Sequence, residues 1–210
     1  MPNVFFDNFK WMSWNIFLAS ISMIISLIIF KKEWWQKKNI MIKLILIISF
    51  LLYYFFLPNA PYVLTDVIHL VRQIKDYRYF KLSDSSIIVY LIPQYLLFIF
   101  IGFSMYVIAF QKLIHFLYEC NVRHIFILLC KIFNPFLMAI GIFLGRYYRF
   151  NSWDIISSYE YIIISTIKGF TNFYFFMFII IITIVILLGF EILSIFYKSI
   201  FKNLFNLKQS

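Results

Sequence analysis

Charge is what this chain has least of. Only 13% of its 210 residues are charged against 63% hydrophobic, and the mean hydropathy is +0.88, whereas about a quarter of the residues in a soluble globular domain carry charge. A water-soluble helical domain would need charged faces on most of its helices, and here several runs of roughly 20 residues carry none. That excludes a soluble globular chain. Acidic residues are scarcer still, nine against 19 Lys and Arg, for a net charge of +10. Nucleic-acid binding needs a clustered basic face, and these lysines stand in short groups between apolar runs, so no nucleic-acid partner is expected. Cys120 and Cys130 are the only cysteines, one in a short loop and one inside a span, with no spacing that suggests a metal site or a disulfide framework. Alanine is scarce while Phe, Ile, Tyr, Lys and Asn dominate, a bias that fits an AT-rich genome. The 23% aromatic content is therefore no argument for cofactor chemistry, and no cofactor is expected.

What is present is a series of apolar runs. The first, about Trp11 to Phe30, matches a hydrocarbon core of about 30 Å at 1.5 Å per residue. Trp11 and Trp14 read as interfacial anchors. One lysine precedes this run, five follow it, and no small-x-small cleavage site is evident, so it reads as a permanent span rather than a signal peptide. The second run covers about 40–57 and stops at Pro58, with Lys43 placed to snorkel. The third, about 85–110, contains Pro93, which predicts a kink beside Gln94. The fourth, about 123–145, carries Asn134-Pro135 and ends in Gly141-Ile142-Phe143-Leu144-Gly145, a small-xxx-small pattern that reads as close helix packing. The fifth, about 170–197, is long enough to tilt, with Glu191 near its end.

The fold class is thus all-α: one polytopic transmembrane helix bundle over 1–210, with about five spans. An odd number of crossings puts the termini on opposite sides. Loop one (Lys31, Lys32, Lys37, Lys38, Lys43), loop two (Lys112, Arg123, Lys131) and the tail (Lys198, Lys202, Lys208) hold eleven of the 19 basic residues. The bias is strongest around the first span, which predicts an outside N-terminus, a cytoplasmic C-terminus and a place in the plasma membrane.

Two polar strings interrupt the hydrocarbon, and this topology puts both on the outer face. From Pro61 to Tyr77 the apolar residues Val63, Leu64, Val67, Ile68, Leu70, Val71 and Ile74 recur with helical period. Tyr62, Thr65, Asp66, His69, Arg72, Gln73 and Asp76 fall within an arc of roughly 120° on the other side. This predicts an amphipathic helix, about 61–77, at the outer surface or tucked into the bundle mouth. A second, about 153–167, would be capped by Ser152 with Asp154 in its first turn.

Thr65, Asp66 and His69 share one helical face. A carboxylate beside an imidazole fixes the histidine tautomer and raises its basicity, as a general base requires; the alternative is a solvated polar face in which the two only hydrogen-bond each other. A metal needs three or more ligands, and His115 and His124 fall on the opposite side, so no metal site is expected. Arg146 and Arg149 are three apart, and a continued helix would point both the same way. A planar fork that grips phosphate or carboxylate at two points is what lysine cannot supply, so the pair reads as an anion or headgroup site, or as a salt bridge to Asp66 or Asp154. Asn59, Tyr62, Thr65, Asn151, Ser152, Trp153 and Asp154 complete the polar cluster, the last four also reading as a helix cap behind an interfacial tryptophan.

Pro58, Asn59, Pro61, Tyr62, Thr65, Asp66 and His69, followed by Leu144, Gly145, Arg146, Arg149, Asn151, Ser152, Trp153 and Asp154, match without departure the two strings that mark a bacterial membrane-protein group, domain-of-unknown-function family 1361. The chain resembles that family over nearly its whole length. What the resemblance implies is a helical membrane protein with a shared site, and nothing about substrate.

Three functions follow as expectations. The first is an integral membrane protein whose outer-face polar and Arg cluster binds an anionic headgroup or a partner, the bilayer being its one certain companion. The second is an enzyme acting on a lipid-linked or phosphorylated substrate, with His69 as base, Asp66 orienting it, and Arg146 and Arg149 stabilising negative charge. A small transporter is third, disfavoured by the near absence of charge within the spans and of any internal repeat.

Overall fold

The computed structural model describes residues 8–79, 83–150, 154–157 and 159–200. Among these there is no strand, and five helical stretches are long and apolar enough to cross a membrane: Phe9–Ile29, Ile40–Tyr79, Asp84–Glu119, His124–Tyr147 and Phe173–Tyr197. The protein is an all-α, multi-pass membrane protein. Contacts divide it into two compact units, Met1–Ala109 and Phe110–Ser210.

The first unit opens with α1 (Phe9–Ile29). Its buried residues Met12, Ala19, Ser22, Ser26 and Ile29 recur at steps of three, four and seven, one stripe of the helix. The serines sit there without cost to the bilayer because each hydroxyl donates back to a carbonyl, Ser22 to Ala19 at 3.0 Å and Ser26 to Met23 at 2.6 Å. After the short α2 (Lys32–Gln36) comes α3 (Ile40–Phe56), whose first turn is capped by Asn39 accepting from the Met41 N–H at 2.8 Å.

Helix α3 ends just before Pro58, but the helical stretch runs on to Tyr79. The chain continues through α4 (Asn59–Tyr62), a 3₁₀ turn over Val63–Asp66, and α5 (Val67–Tyr79). Proline at 58 and 61 removes two helical donors, and the Ala60 N–H goes to the Leu57 carbonyl three residues back. The Asn59 side-chain amide covers the Phe56 carbonyl at 3.0 Å. Asn59 thus repairs the ladder that its flanking prolines disturb.

Phe30 lies edge-on against Tyr53 at 5.0 Å, and Asn8, at the other end of α1, bonds to Gln73. Between these two fixed points the chain from Tyr53 to Gln73 runs antiparallel to α1, with α4 packed on it. The first polar string therefore lies along the length of α1.

The third stretch begins with α6 (Asp84–Ser86), capped by Ser83, and a π turn over Ile87–Leu91 that leads into α7 (Ile92–Glu119). The Ile92 N–H donates to the Ile87 carbonyl five residues back, a widened turn placed just before Pro93. That is where the clash of the proline ring with a preceding carbonyl must be relieved. Helix α7 runs on past the predicted end of its span to Glu119, so Lys112 stands in the helix rather than in a loop. It closes with Asn121 in the left-handed region (φ 54°), its N–H on the Tyr118 carbonyl and the Val122 N–H on that of Leu117, the Schellman pattern.

In the second unit α8 (His124–Tyr147), which carries Pro135 in its interior, packs on α11 (Phe173–Ile200) through Ala139, Phe143, Phe175 and Ile179. Between them lie α9 (Asp154–Ser157) and α10 (Tyr159–Phe170), which cover the predicted 153–167 helix from Asp154 onward. Close approach is seen at Gly102, where an added Cβ would stand 2.7 Å from a Val63 methyl, and at Gly169, where it would meet the Phe175 ring at 2.6 Å. Gly141 and Gly145 are half-buried.

Candidate functional site

An amphipathic helix on a soluble protein turns its apolar face inward. Helix α5 and the turn before it depart from that in part: Thr65 and Asp66 are buried, Gln73 is half-buried, and Val67, Ile68 and Val71 are exposed, whereas Arg72 and Asp76 of the same polar arc are exposed and Val63 is buried. Apolar residues outward and polar residues inward is the arrangement expected where the surroundings are hydrocarbon. His69 lies at the edge of the polar arc and is half exposed, while the Asp66 carboxylate beneath it is 2% exposed. The imidazole Nε2 stands 3.9 Å from the Asp66 carboxylate oxygen, an ion-pair distance and too long for a hydrogen bond. Thr65 turns to its own backbone, its hydroxyl donating to the Tyr62 carbonyl at 2.7 Å.

Beside the Asp66–His69 pair a hydrogen-bond network joins three helices. Asn8 and Gln73 exchange amide hydrogen bonds at 2.9 and 2.8 Å. The Trp11 indole donates to Asn8 Oδ1 at 3.0 Å and the Tyr95 hydroxyl to Gln73 Oε1 at 3.0 Å. Asn8 occupies the position before α1 where its side chain would ordinarily cap the helix, and spends it on this tertiary bond instead. The Trp11 ring also lies 5.7 Å from His69, 5.9 Å from Tyr95 and 5.4 Å from Phe98, and so walls the histidine on one side. Tyr95 is within electrostatic reach of Asp66 and Tyr77. The network holds the start of α1, the middle of α5 and the first turn of α7 in one place, which fixes how His69 is presented.

Sequence reasoning placed Gln73 on the polar face without a role and treated Trp11 only as an anchor. Asn8 and Tyr95 it missed. The signal for Gln73 was present, since positions 66, 69 and 73 step by three and four along one stripe. Tyr95 gives no local signal, because its partner is on another helix.

The second string belongs to the other unit. Arg146 is half-buried in the last turn of α8, a position where a cation also complements the helix macrodipole. The helix ends at Tyr147, and Arg149 takes a left-handed backbone conformation (φ 59°) with the Phe150 N–H turned back to the Leu144 carbonyl. The continued helix that would align the two arginines is therefore not formed, and Arg149 is exposed. Aromatic rings surround this turn: Phe143 stacks on Tyr147 at 4.3 Å, and Phe150 bridges Tyr148 at 5.9 Å and Tyr161 of α10 at 5.6 Å. Asp154 is half-buried at the start of α9. Asn151, Ser152 and Trp153 lie outside the described residues. No group of three or more potential metal ligands occurs among the described residues.

Residues 14–200 match the model of the family described as Protein of unknown function (DUF1361). The chain belongs to that family. The matched stretch contains both polar strings together with Gln73 and Tyr95, whereas Asn8 and Trp11 precede it. No curated protein and no solved structure matches the chain.

Proposed function

We propose that this DUF1361 protein binds an anionic headgroup at its second polar string, through Arg146 and Arg149, from within the plasma membrane of a bacterium, with the start of α1 outside and the tail in the cytoplasm. The observation that supports it most is the backbone at Arg149. A left-handed position is filled by glycine or asparagine at little cost and by other side chains at about 1 kcal/mol, so an arginine there is held for its side chain. Around it stand Tyr147 and Tyr148, both exposed, which suit the headgroup level of a bilayer. Guanidinium groups bind phosphate in a planar, two-point fashion that an ammonium cannot copy. Purification in mild detergent followed by lipid analysis tests this. Arg146→Lys is expected to lose most of a co-purified anionic lipid that the wild-type chain retains, and unchanged lipid content in Arg146→Lys and Arg149→Gln together would refute the reading.

A second reading is supported by the Asp66–His69 pair. A buried carboxylate under a half-exposed imidazole puts an orienting group within ion-pair range of a general-base candidate, here with the exposed Val67 and Ile68 beside it. It would act on a lipid-linked or phosphorylated substrate reached from the bilayer. His69→Ala should then abolish turnover of such a substrate at unchanged abundance, whereas loss of abundance in place of turnover would mark the pair as structural.

A further inference from the structure

The far end of α1 carries a feature that neither polar string explains. Between Lys31 and Lys43 the chain has five lysines, at 31, 32, 37, 38 and 43, against the single acid Glu33. All but Lys32 are exposed. Two tryptophans are set among them and do different things. The Trp35 indole donates to the Ile29 carbonyl at 2.8 Å, tying α2 to the last turn of α1. Trp34 is 37% exposed, with the Lys37 ammonium 4.2 Å above its ring.

The register of the helices places this group. Phe30 meets α3 at Phe50 and Tyr53, so α3 begins about 15 Å of helix before that level, at 1.5 Å per residue. The projecting turns are apolar on one side, with Ile40, Met41, Leu44 and Ile45 each about half exposed or more, while Lys43 stands on the other. Exposed lysines, an exposed tryptophan ring and exposed apolar side chains thus stand together on and around α2 and the first turns of α3, the three kinds of group that membrane-surface segments combine.

We propose that α2 and the first turns of α3 form a basic and aromatic platform that binds anionic phospholipid of the leaflet it faces. The charge is complementary and concentrated: lysines at such a surface attract anionic lipid, and one acid does little to offset five cations. Trp35 supplies the rigidity, because its bond to Ile29 fixes α2 relative to α1. Trp34 supplies the contact with the headgroup region. The platform is independent of Arg146 and Arg149 and of whatever they bind.

The wild-type chain in nanodiscs of phosphatidylcholine, with a minor fraction of brominated lipid, tests this, because bromine quenches tryptophan emission at contact distance. The Trp34 contribution is the difference between the wild type and Trp34→Phe. Quenching of that component is expected to be about twofold stronger with brominated phosphatidylglycerol than with brominated phosphatidylcholine at low salt, and the excess should fade at high salt. Changing Lys31, Lys37 and Lys38 together to Gln should remove the excess, and changing the same three to Arg should keep it. Equal quenching by the two lipids in the wild type overturns the proposal. So does an excess that survives the Gln substitutions, or one lost equally with Gln and with Arg.

Discussion

Gln73 shows what one side chain does when water is scarce. Its amide exchanges two hydrogen bonds with Asn8 and accepts a third from Tyr95, so Gln73→Leu would leave the Asn8 amide N–H and the Tyr95 hydroxyl to find other partners, while Asn8 Oδ1 keeps Trp11. Such bonds within membrane proteins are each worth on the order of 1 kcal/mol, and the variant is expected to lose about 2 kcal/mol of stability, read as a lower denaturation midpoint in detergent. Retention of the wild-type midpoint would mean the network is incidental. Asn59 makes a smaller case. Asn59→Asp keeps size and loses the donor to the Phe56 carbonyl, and a cost of about 1 kcal/mol is expected. Arg149 offers the opposite sign: Arg149→Gly relieves a left-handed backbone and should raise stability by about 0.5–1 kcal/mol while it removes bound anionic lipid. A glycine variant less stable than wild type would show the side chain to be structural instead.

Elements meet here by close approach as much as by bulk. Gly102 lets α7 lie against the 3₁₀ turn at Val63, and that turn sets the direction in which Asp66 enters the interior. Gly102→Ala is expected to cost about 1–3 kcal/mol by overpacking, and Val63→Ala should recover most of it, since the clash is with the valine methyls. A double-mutant cycle over the two positions measures the coupling, and simple additivity would deny the contact. Much of this level was legible beforehand. Helix type, the apolar runs and the polar arc at Asp66 and His69 follow from periodicity. What periodicity could not say was which way the arc faces, because a stripe of polar residues looks the same whether it borders water or the interior of a bundle in lipid. Nor could it foresee that Asn59 would carry the helix across Pro58 and Pro61, since the repair is a single side-chain bond. At Arg149 the spacing of three promised a shared face, and the left-handed turn between helices, a tertiary outcome, withdrew it.

At the scale of the whole molecule the five apolar stretches demand alternation across the bilayer. Cys120 is exposed in the α7–α8 turn, and Thr171 is exposed in the α10–α11 turn. With Cys130 changed to Ser, a membrane-impermeant maleimide is expected to label Thr171→Cys in intact cells and to reach Cys120 only after permeabilisation. Labelling of both from one side would break the alternation. Amino-acid order alone determined that this chain dissolves in a bilayer and crosses it repeatedly, because hydrophobic run length and lysine placement act locally, residue by residue, against the thickness of the hydrocarbon. Only the tertiary structure decided that the first polar string lies along α1 with its acid turned inward, and that Asn8, Gln73 and Tyr95 join beside it. Those facts depend on which helices meet and at what register, and that is settled by packing between segments far apart in the chain.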